Sequence, residues 1–172
     1  IARACAAEIP EGASIFLAIG TTTEAVAREL RRHAGLMVVT NNMNVANILA
    51  ENPHCQVIVT GGTLRRSDGG LTGPLTEAAI RQFKVDIAVI GCSALDAEGD
   101  MLDYDIQEVG VSQSLIAQAR RAWLVTDNSK LARTAPARIG SLSILDTVFT
   151  DRPLPAPLMA RCAQWQTRVV AG

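Results

Sequence analysis

The sequence predicts one α/β domain in which helices cover both faces of a mainly parallel sheet, and three observations support this. Short runs rich in β-branched residues alternate with longer stretches of helical periodicity, a pattern typical of parallel strands joined by helical crossovers. The strand candidates are apolar along almost their whole length, as burial on both sides of a sheet requires. A chain of 172 residues suits one well-cored domain and is short for two.

The predicted elements can be placed in order along the chain. The first residues, 1–14, are typical of the tail of a helix followed by a turn. Strands are expected at Ile15–Ile19, Met37–Thr40, Gln56–Thr60, Asp86–Ile90, Ala122–Thr126, Thr147–Thr150 and Thr167–Val170. Helices are expected at Glu24–Arg32, Asn44–Glu51, Pro74–Phe83, Gln107–Arg120 and Ala156–Trp165. No linker or low-complexity segment divides the chain, so residues 1–172 are expected to form a single domain.

Local signals support individual helix boundaries. Thr21 and Glu24 fit a capping box, Thr-x-x-Glu, at the start of the first long helix, and Gly35 stands just past its basic end. Glu108 lies at the start of a later helix, where a negative charge compensates the helix dipole. The proline-rich segment Arg152–Pro157 introduces only a closing helix and an edge strand.

Composition argues against several classes of function. The formal net charge is −1, whereas a chain that holds nucleic acid by itself needs a basic face. No apolar run approaches the roughly 20 residues that a membrane span needs. The four cysteines lie far apart without a CxxC pair, which favours reduced thiols in the cytoplasm over a disulfide or zinc framework. His33 and His54 each lie beside a predicted turn, so neither a metal site nor a cofactor is predicted.

Nearly all the predicted strands end in Thr or Gly followed by small polar residues. The strand ends read AIGTTT, VVTNN, IVTGG, VIGCS, LVTDNSK and VFTD. In an open parallel sheet the carboxyl ends of the strands lie along one edge, where α/β proteins bind ligands. Ordinary turn chemistry explains any single one of these ends. Their repetition predicts a rim of hydroxyl, amide and backbone N–H groups that suits a small phosphorylated anion.

The stretch from Gly20 to Thr23 joins the first strand to the first long helix. Helix capping alone explains one of its threonines. Gly20, however, permits close approach to the backbone, and the N–H groups of the first turn favour an anion together with the helix dipole. Thr22 and Thr23 add hydroxyl donors beyond what capping needs. This stretch is therefore the first candidate phosphate site, although it is neither a Walker loop nor a GxGxxG motif.

Two further loops carry basic residues near strand ends. In Thr60–Gly73 the glycines allow close ligand approach, and Arg65 could reach a phosphate as a fork of donors. A surface loop with solvated arginines explains this segment equally well, and is favoured for Arg66. Lys130, one of two lysines in the chain, lies directly beyond a strand, where a point charge suits a phosphate or carboxylate ligand. A solvated lysine in a turn is the alternative.

The stretch Asp96–Glu108 is acidic, and such runs are usually solvated loops. A carboxylate here could also transfer a proton. This keeps an enzyme open as the alternative function, namely a phosphosugar isomerase or a lactonase-like hydrolase with Glu108 or Asp105 as base and Lys130 beside it. A third hypothesis is an oligomerisation module with a vestigial pocket.

Five blocks of the sequence together resemble the effector-sensing domain of DeoR-type bacterial transcriptional repressors. They read IGTTTEAV, VVTNNMNVAN, GGTLRRSDGGLTG, DIAVIGCSALDAEGDMLDYDIQEV and VTDNSKLARTAPARIGSLSILDTVFTD, and the similarity runs from about Ile9 to Asp151. The resemblance implies a fold shared with phosphosugar isomerases and a sensing role without catalysis. It also implies a winged helix-turn-helix that binds operator DNA. That segment is expected to precede this chain, which starts at Ile1 rather than at a methionine.

The resemblance further implies a ligand and the residues that bind it. A phosphorylated effector, either glycerol-3-phosphate or a sugar phosphate, is expected to bind to a homodimer or homotetramer that has no contact with a membrane. The expected ligand-binding set is Gly20, Thr21, Thr22, Thr23, Asn41, Asn42, Gly61, Gly62, Arg65, Ser93, Glu108 and Lys130. Within it, Gly20 and the threonines contact the phosphate, the asparagines line the floor, Gly61 and Gly62 form a second wall, and Lys130 closes the site. Members of the family often have Asp two residues before the Gly-Thr-Thr, where this sequence has Ala18.

Overall fold

The computed structural model describes residues 1–172, in which strands and helices alternate. In chain order the strands are β1 (Ser14–Leu17), β2 (Leu36–Thr40), β3 (Cys55–Val59), β4 (Thr63–Arg65), β5 (Gly70–Thr72), β6 (Val85–Ile90), β7 (Ala94–Leu95), β8 (Asp100–Asp103), β9 (Ala119–Val125), β10 (Ala137–Ser141), β11 (Thr147–Thr150) and β12 (Arg168–Ala171). The α-helices are α1 (Ala2–Ala7), α2 (Thr21–Glu29), α3 (Met43–Leu49), α4 (Pro74–Ile80), α5 (Ile106–Ala117) and α6 (Ala156–Trp165). Short 3₁₀ helices cover Leu30–Arg32, Asn128–Ala132 and Leu142–Ile144.

Seven strands form one wholly parallel sheet in the order β12-β11-β9-β6-β1-β2-β3. The chain starts with β1 in the interior of the sheet and adds β2 and β3 on one side. It then returns to place β6 on the other side of β1 and continues outward. The strand order therefore reverses between β1 and β6, and such a switch point leaves a crevice at the carboxyl ends of the strands. The predicted fold class is confirmed.

The alternation of side chains along the buried strands produces two cores. Ile15 and Leu17 of β1 belong to the core shared with α1, α2 and α3. Phe16 and Ala18 belong to the core on the opposite face, shared with α4, α5 and α6. Fully burying a large apolar side chain contributes about 1.5–3 kcal/mol, so both helical layers hold the sheet. The strand ends that carry the polar loops are thereby fixed in position.

Two small antiparallel sheets follow the carboxyl ends of β3 and β6, and the sequence does not predict them. One is the β4–β5 hairpin, which a bridge between Asn42 and Gly70 ties to the end of β2. The other has the order β10-β8-β7. Their strands are short and carry too few apolar residues to show a clear period. The expectation of a solvated loop is wrong for Asp100–Asp103, which forms β8.

Candidate functional site

A cavity of about 260 Å³ lies at the switch point, where β1 and β6 end. Its walls come from the ends of β1, β6, β8 and β9, from the first turns of α2 and α5, and from the β4–β5 hairpin. The lining residues are Ile19, Gly20, Thr21, Thr22, Thr23, Glu24, Arg65, Asp68, Gly91, Cys92, Ser93, Asp103, Glu108, Val125 and Lys130. Eight of the twelve residues expected from the sequence are thus brought together in one place, and most of the lining is polar or charged.

The first turn of α2 forms one wall of the cavity. Gly20 is the N-cap residue with φ of 140°, and no side chain caps this helix. The predicted capping box is therefore wrong, because Thr21 already lies inside the helix. The N–H groups of Thr21, Thr22 and Thr23 have no acceptor within the protein. Unpaired N–H groups at the positive end of a helix dipole make this wall suitable for an anion.

The three threonines play different parts in this turn. Thr23 is buried, and its hydroxyl donates to the carbonyl oxygens of Gly20 at 2.6 Å and Ala18 at 2.8 Å. It stabilises the turn and offers only its N–H to the cavity. The hydroxyls of Thr21 and Thr22 have no partner in the protein and remain available. Ala18 itself is buried in the core and does not line the cavity.

Lys130 enters the cavity from the 3₁₀ helix that follows β9. Asp127 caps this short helix by accepting the N–H of Ser129 at 2.9 Å, and Asn128 is held by Asp151 at 2.8 Å. The backbone that carries Lys130 is therefore well fixed. Its ammonium group forms no ion pair with any carboxylate. Lys130 thus lies in the cavity wall with its charge uncompensated by a direct partner.

Arg65 also lines the cavity, but four of its five N–H donors are already used. Its Nε donates to Asp68 at 3.0 Å, one terminal nitrogen donates to Asp105 at 3.0 Å, and the other donates to Glu108 at 2.5 Å. The hydrogen bonds that Arg65 donates to Asp68 and then to Glu108 raise its pKa further above its usual range. Arg65 therefore ties the β4–β5 hairpin to the start of α5 and is not a free fork for a phosphate.

Carboxylates dominate the wall opposite α2. Asp103 ends β8 and is buried, and its Oδ1 accepts from the hydroxyl of Ser93 at 3.2 Å and from the N–H of Tyr104 at 2.7 Å. Burial, and then the charge of Asp103, raises the pKa of Glu108 despite the hydrogen bond from Arg65. Asp105, the alternative base, caps α5 by accepting the N–H of Gln107 at 2.9 Å and does not line the cavity.

Asn41 and Asn42 do not line the cavity. Both are buried. Asn42 caps α3, because its Oδ1 accepts the N–H groups of Asn44 at 2.9 Å and Val45 at 3.3 Å. Asn41 donates to the carbonyl of Leu71 at 3.0 Å. Their amides therefore attach α3 and the β4–β5 hairpin to the sheet, and the expectation that they form the floor does not hold in this geometry.

Gly61 and Gly62 likewise lie outside the cavity. The carbonyl of Gly61 accepts the hydroxyl of Thr76 at 2.8 Å. A Cβ atom at Gly62 would lie 2.0 Å from the same hydroxyl oxygen. Close packing against α4 therefore accounts for Gly62, and a positive φ of 73° accounts for Gly61. The expected second wall is formed instead by Arg65 and Asp68.

Sequence reasoning missed several lining residues, above all Asp68 and Asp103. Asp68 lies in the turn of a hairpin, where Asp is common for local reasons. Asp103 lies in an acidic run that is typical of a solvated loop. No group of three or more His, Cys, Asp or Glu side chains is placed to hold a metal ion. Burial raises the pKa of Cys92 to about 11, so this lining thiol stays neutral.

The chain matches known proteins along most of its length. The family described as DeoR C terminal sensor domain matches residues 1–152. The chain is 43% identical over 159 residues to the glycerol-3-phosphate regulon repressor of Escherichia coli (strain K12), which covers 92% of this chain and 63% of that protein. It is 42% identical over 170 residues to the Haemophilus influenzae repressor of the same name, covering 99% and 66%. This chain therefore spans less than two thirds of the length of these relatives.

Other similarities agree with these matches. The chain is 38% identical over 170 residues to the HTH-type transcriptional repressor CsqR of Escherichia coli (strain K12), covering 99% of this chain and 65% of that protein. Among solved structures it resembles eIF2B delta from Chaetomium thermophilum, with a TM-score of 0.62 at 12% identity over 86% of this chain and 52% of that one. Ribose 5-phosphate isomerase A from Methanocaldococcus jannaschii gives a TM-score of 0.53 at 14% identity over 76% and 51%. At such identities the structural likeness describes the fold alone.

Proposed function

This chain belongs to the DeoR C-terminal sensor domain family, and we propose that it senses a phosphorylated metabolite on behalf of a transcriptional repressor. The names of its relatives support this role, since those at 38–43% identity are repressors and one is described as HTH-type. In this proposal residues 1–172 form a single sensor domain. A helix-turn-helix segment outside this chain binds operator DNA in the cytoplasm. None of the helices here combines the length and apolar character needed to cross a bilayer.

The observation that carries the proposal is the unpaired first turn of α2 beside Lys130. A phosphate at this wall would accept the N–H groups of Thr21, Thr22 and Thr23 and the hydroxyls of Thr21 and Thr22. Lys130 would add a point charge from the 3₁₀ helix that follows β9. A hydrogen bond to a charged group contributes about 1.5–3 kcal/mol, while association costs at least about 4 kcal/mol. A dissociation constant between roughly micromolar and millimolar follows.

The effector we propose is glycerol-3-phosphate or a small sugar phosphate. Two relatives, at 43% and 42% identity, carry the name glycerol-3-phosphate regulon repressor. A cavity of about 260 Å³ has room for a three-carbon phosphate and leaves space for a slightly longer chain. Ala18 does not argue against this effector, because that position is buried away from the cavity.

Effector binding would act through the association of sensor copies, as a homodimer or homotetramer. An effector that changes how the copies associate changes how the attached DNA-binding segments reach the operator. A coupling free energy of about 1–3 kcal/mol between the two sites is typical of such control. We propose a regulator rather than an isomerase because Glu108 is paired with Arg65 and Asp105 lies outside the cavity.

Isothermal titration calorimetry of this chain tests the proposal. The titrants are sn-glycerol-3-phosphate and, as a control without phosphate, glycerol. We expect saturable heat from the phosphorylated compound and none from glycerol at the same concentrations. Equal heats from the two compounds, or no heat from either, would reject a phosphate-binding sensor of this kind.

A further inference from the structure

The carboxylate wall of the cavity has more acceptors than its own donors satisfy. The carboxylates that line the cavity are Glu24, Asp68, Asp103 and Glu108, whereas its cations are Arg65 and Lys130. Arg65 is shared among Asp68, Asp105 and Glu108. The α2 side of the cavity offers donors to an anion, and the β8 and α5 side offers acceptors. A phosphorylated ligand that fills the cavity would therefore contact hydrogen-bond donors on the α2 side and acceptors on the β8 and α5 side.

Asp103 is the strongest acceptor on this wall. Only 4% of the residue is exposed, and both of its hydrogen bonds, from Ser93 and from the Tyr104 N–H, go to Oδ1. No protein group donates to Oδ2, although the residue lines the cavity. Asn41 Oδ1 is the one fully buried side-chain oxygen or nitrogen without a partner, so Oδ2 of Asp103 is not sealed off and is open to the cavity. A hydroxyl group of a ligand would supply the donor.

Glu108 repeats this arrangement beside Asp103. Its Oε2 accepts from Arg65 at 2.5 Å, and no protein group donates to its Oε1. The two side chains line the same cavity. Two neighbouring acceptors suit two neighbouring hydroxyl groups. They oppose a carboxylate, since like charges in a partly buried site repel strongly.

We propose that Asp103 and Glu108 form an acceptor pair that selects phosphorylated polyols with adjacent hydroxyl groups and rejects phosphorylated carboxylic acids. The proposal rests on the proposed function, because it assumes that the phosphate occupies the α2 wall. Asp103 and Glu108 are then specificity-determining residues. Arg65 has little to offer a ligand carboxylate, since four of its five N–H donors already serve three protein carboxylates.

A matched pair of ligands tests this selection on the full chain. 3-Phosphoglycerate differs from sn-glycerol-3-phosphate by a carboxylate in place of one hydroxymethyl group, and inorganic phosphate reports the phosphate site alone. By isothermal titration calorimetry we expect glycerol-3-phosphate to bind at least about 100-fold more tightly than 3-phosphoglycerate, as a nearby like charge implies. Comparable affinities for the two compounds would overturn the acceptor pair and leave the phosphate-binding proposal standing. If inorganic phosphate and both compounds fail to bind, the proposed function and this inference both fall.

Single substitutions test whether Asp103 and Glu108 cause the preference for glycerol-3-phosphate over 3-phosphoglycerate. Asp103→Asn keeps the shape of the side chain and removes its charge. The preference for glycerol-3-phosphate over 3-phosphoglycerate should therefore fall about tenfold or more, because 3-phosphoglycerate binds more tightly. Glu108→Gln should act in the same direction and serves as the second variant if Asn at 103 does not fold. Asp96→Asn removes the same charge from the loop between β7 and β8, outside the cavity, and should leave the ratio unchanged. An unchanged ratio in both cavity variants, or an equal change in Asp96→Asn, would overturn the assignment.

Discussion

Two helices begin beside the same cavity, and they differ in their N-caps. α2 follows Gly20, which offers no side chain to the N–H groups of Thr21–Thr23. α5 follows Asp105, whose carboxylate accepts an N–H of the first turn. Each first turn also carries a glutamate, Glu24 in α2 and Glu108 in α5. An internal carboxylate therefore caps α5, whereas the first N–H groups of α2 have no acceptor in the protein.

In the proposed function this difference separates the two ends of the ligand. Glycine at an N-cap costs only about a few tenths of a kcal/mol relative to Ser, Thr, Asn or Asp, and the sheet can tolerate that loss because two cores hold it. Such departures from local rules are expected at functional sites. Under the proposed function, the α2 side receives the charged group of the ligand, and the α5 side, with its carboxylates, receives hydroxyl groups.

The largest effect should come from making α2 resemble α5. Thr22→Asp places a fixed carboxylate at the open helix start. A unit charge about 4 Å from the ligand phosphate, at an effective dielectric constant of about 20, costs about 4 kcal/mol, so affinity for glycerol-3-phosphate should fall about 100-fold or more in calorimetry. Stability should rise by about 0.3–1 kcal/mol because the new charge complements the helix dipole.

Thr22→Asn is the matched neutral control for this change. It should lose about tenfold or less in affinity, since only one hydroxyl contact is altered. If Thr22→Asp binds the ligand as well as the Asn variant does, charge at the start of α2 does not govern binding.

The second effect concerns the cation that faces α2. Lys130→Ala should weaken binding of glycerol-3-phosphate by about 10- to 100-fold, because one charge-assisted contact of about 1.5–3 kcal/mol is lost. The fold should persist, as Lys130 makes no ion pair. Arg133→Ala removes an exposed cation three residues further on and is the control. Equal affinities for the two variants would remove Lys130 from the site.

Much of the fold and part of the candidate site can be predicted from the sequence, and the remaining errors have physical causes. Buried parallel strands and their polar ends follow from local composition, which is why the sequence predicts that Gly20, Thr22 and Lys130 lie at one site. The structure has no capping box at Thr21, because Gly20, with its positive φ, is the N-cap. The family resemblance implies that Asn42 lies on the floor of the site, whereas its side chain caps α3.

The acidic wall could not be predicted for a different reason. Asp103 reaches the cavity only because β8 pairs with β7 and β10, and β10 lies more than 30 residues away from it in sequence. Long-range pairing of such short strands leaves little periodic signal. In sequence the carboxylates therefore resemble a solvated charge run, and only the tertiary structure brings Asp103 to the cavity.

A smaller effect should follow when Arg65 no longer ties the hairpin to α5. Arg65→Met leaves Asp68, Asp105 and Glu108 without their shared donor. The side chain is 26% exposed, so solvent screening limits the loss, and the free energy of unfolding should fall by about 1–2 kcal/mol in urea titrations. Arg66→Met, at an exposed neighbour with no ion pair, should change it by less than about 0.5 kcal/mol. Equal unfolding midpoints would show that Arg65 does not brace the α5 side.

The smallest effect is a pH dependence at the α5 side. The pKa of Glu108 is raised above its ordinary value of 4.5, mainly by burial. Because the pKa of Glu108 is raised in the folded state, its protonated form favours folding. The contribution of Glu108 to the free energy of unfolding is therefore complete below the ordinary pKa and is lost as pH rises through the raised pKa. Compared with Glu108→Gln, the wild type should therefore lose about 1 kcal/mol or less of unfolding free energy across this interval. A relative gain with rising pH would contradict the pKa direction.

Amide NMR during a titration with sn-glycerol-3-phosphate tests the central claim most directly. The account predicts that the largest saturable downfield shifts fall on the N–H groups of Thr21, Thr22 and Thr23, because these gain a charged acceptor, while the N–H of Gln107, already bound to Asp105, moves little. Saturable binding that leaves the three threonine amides unshifted would contradict it.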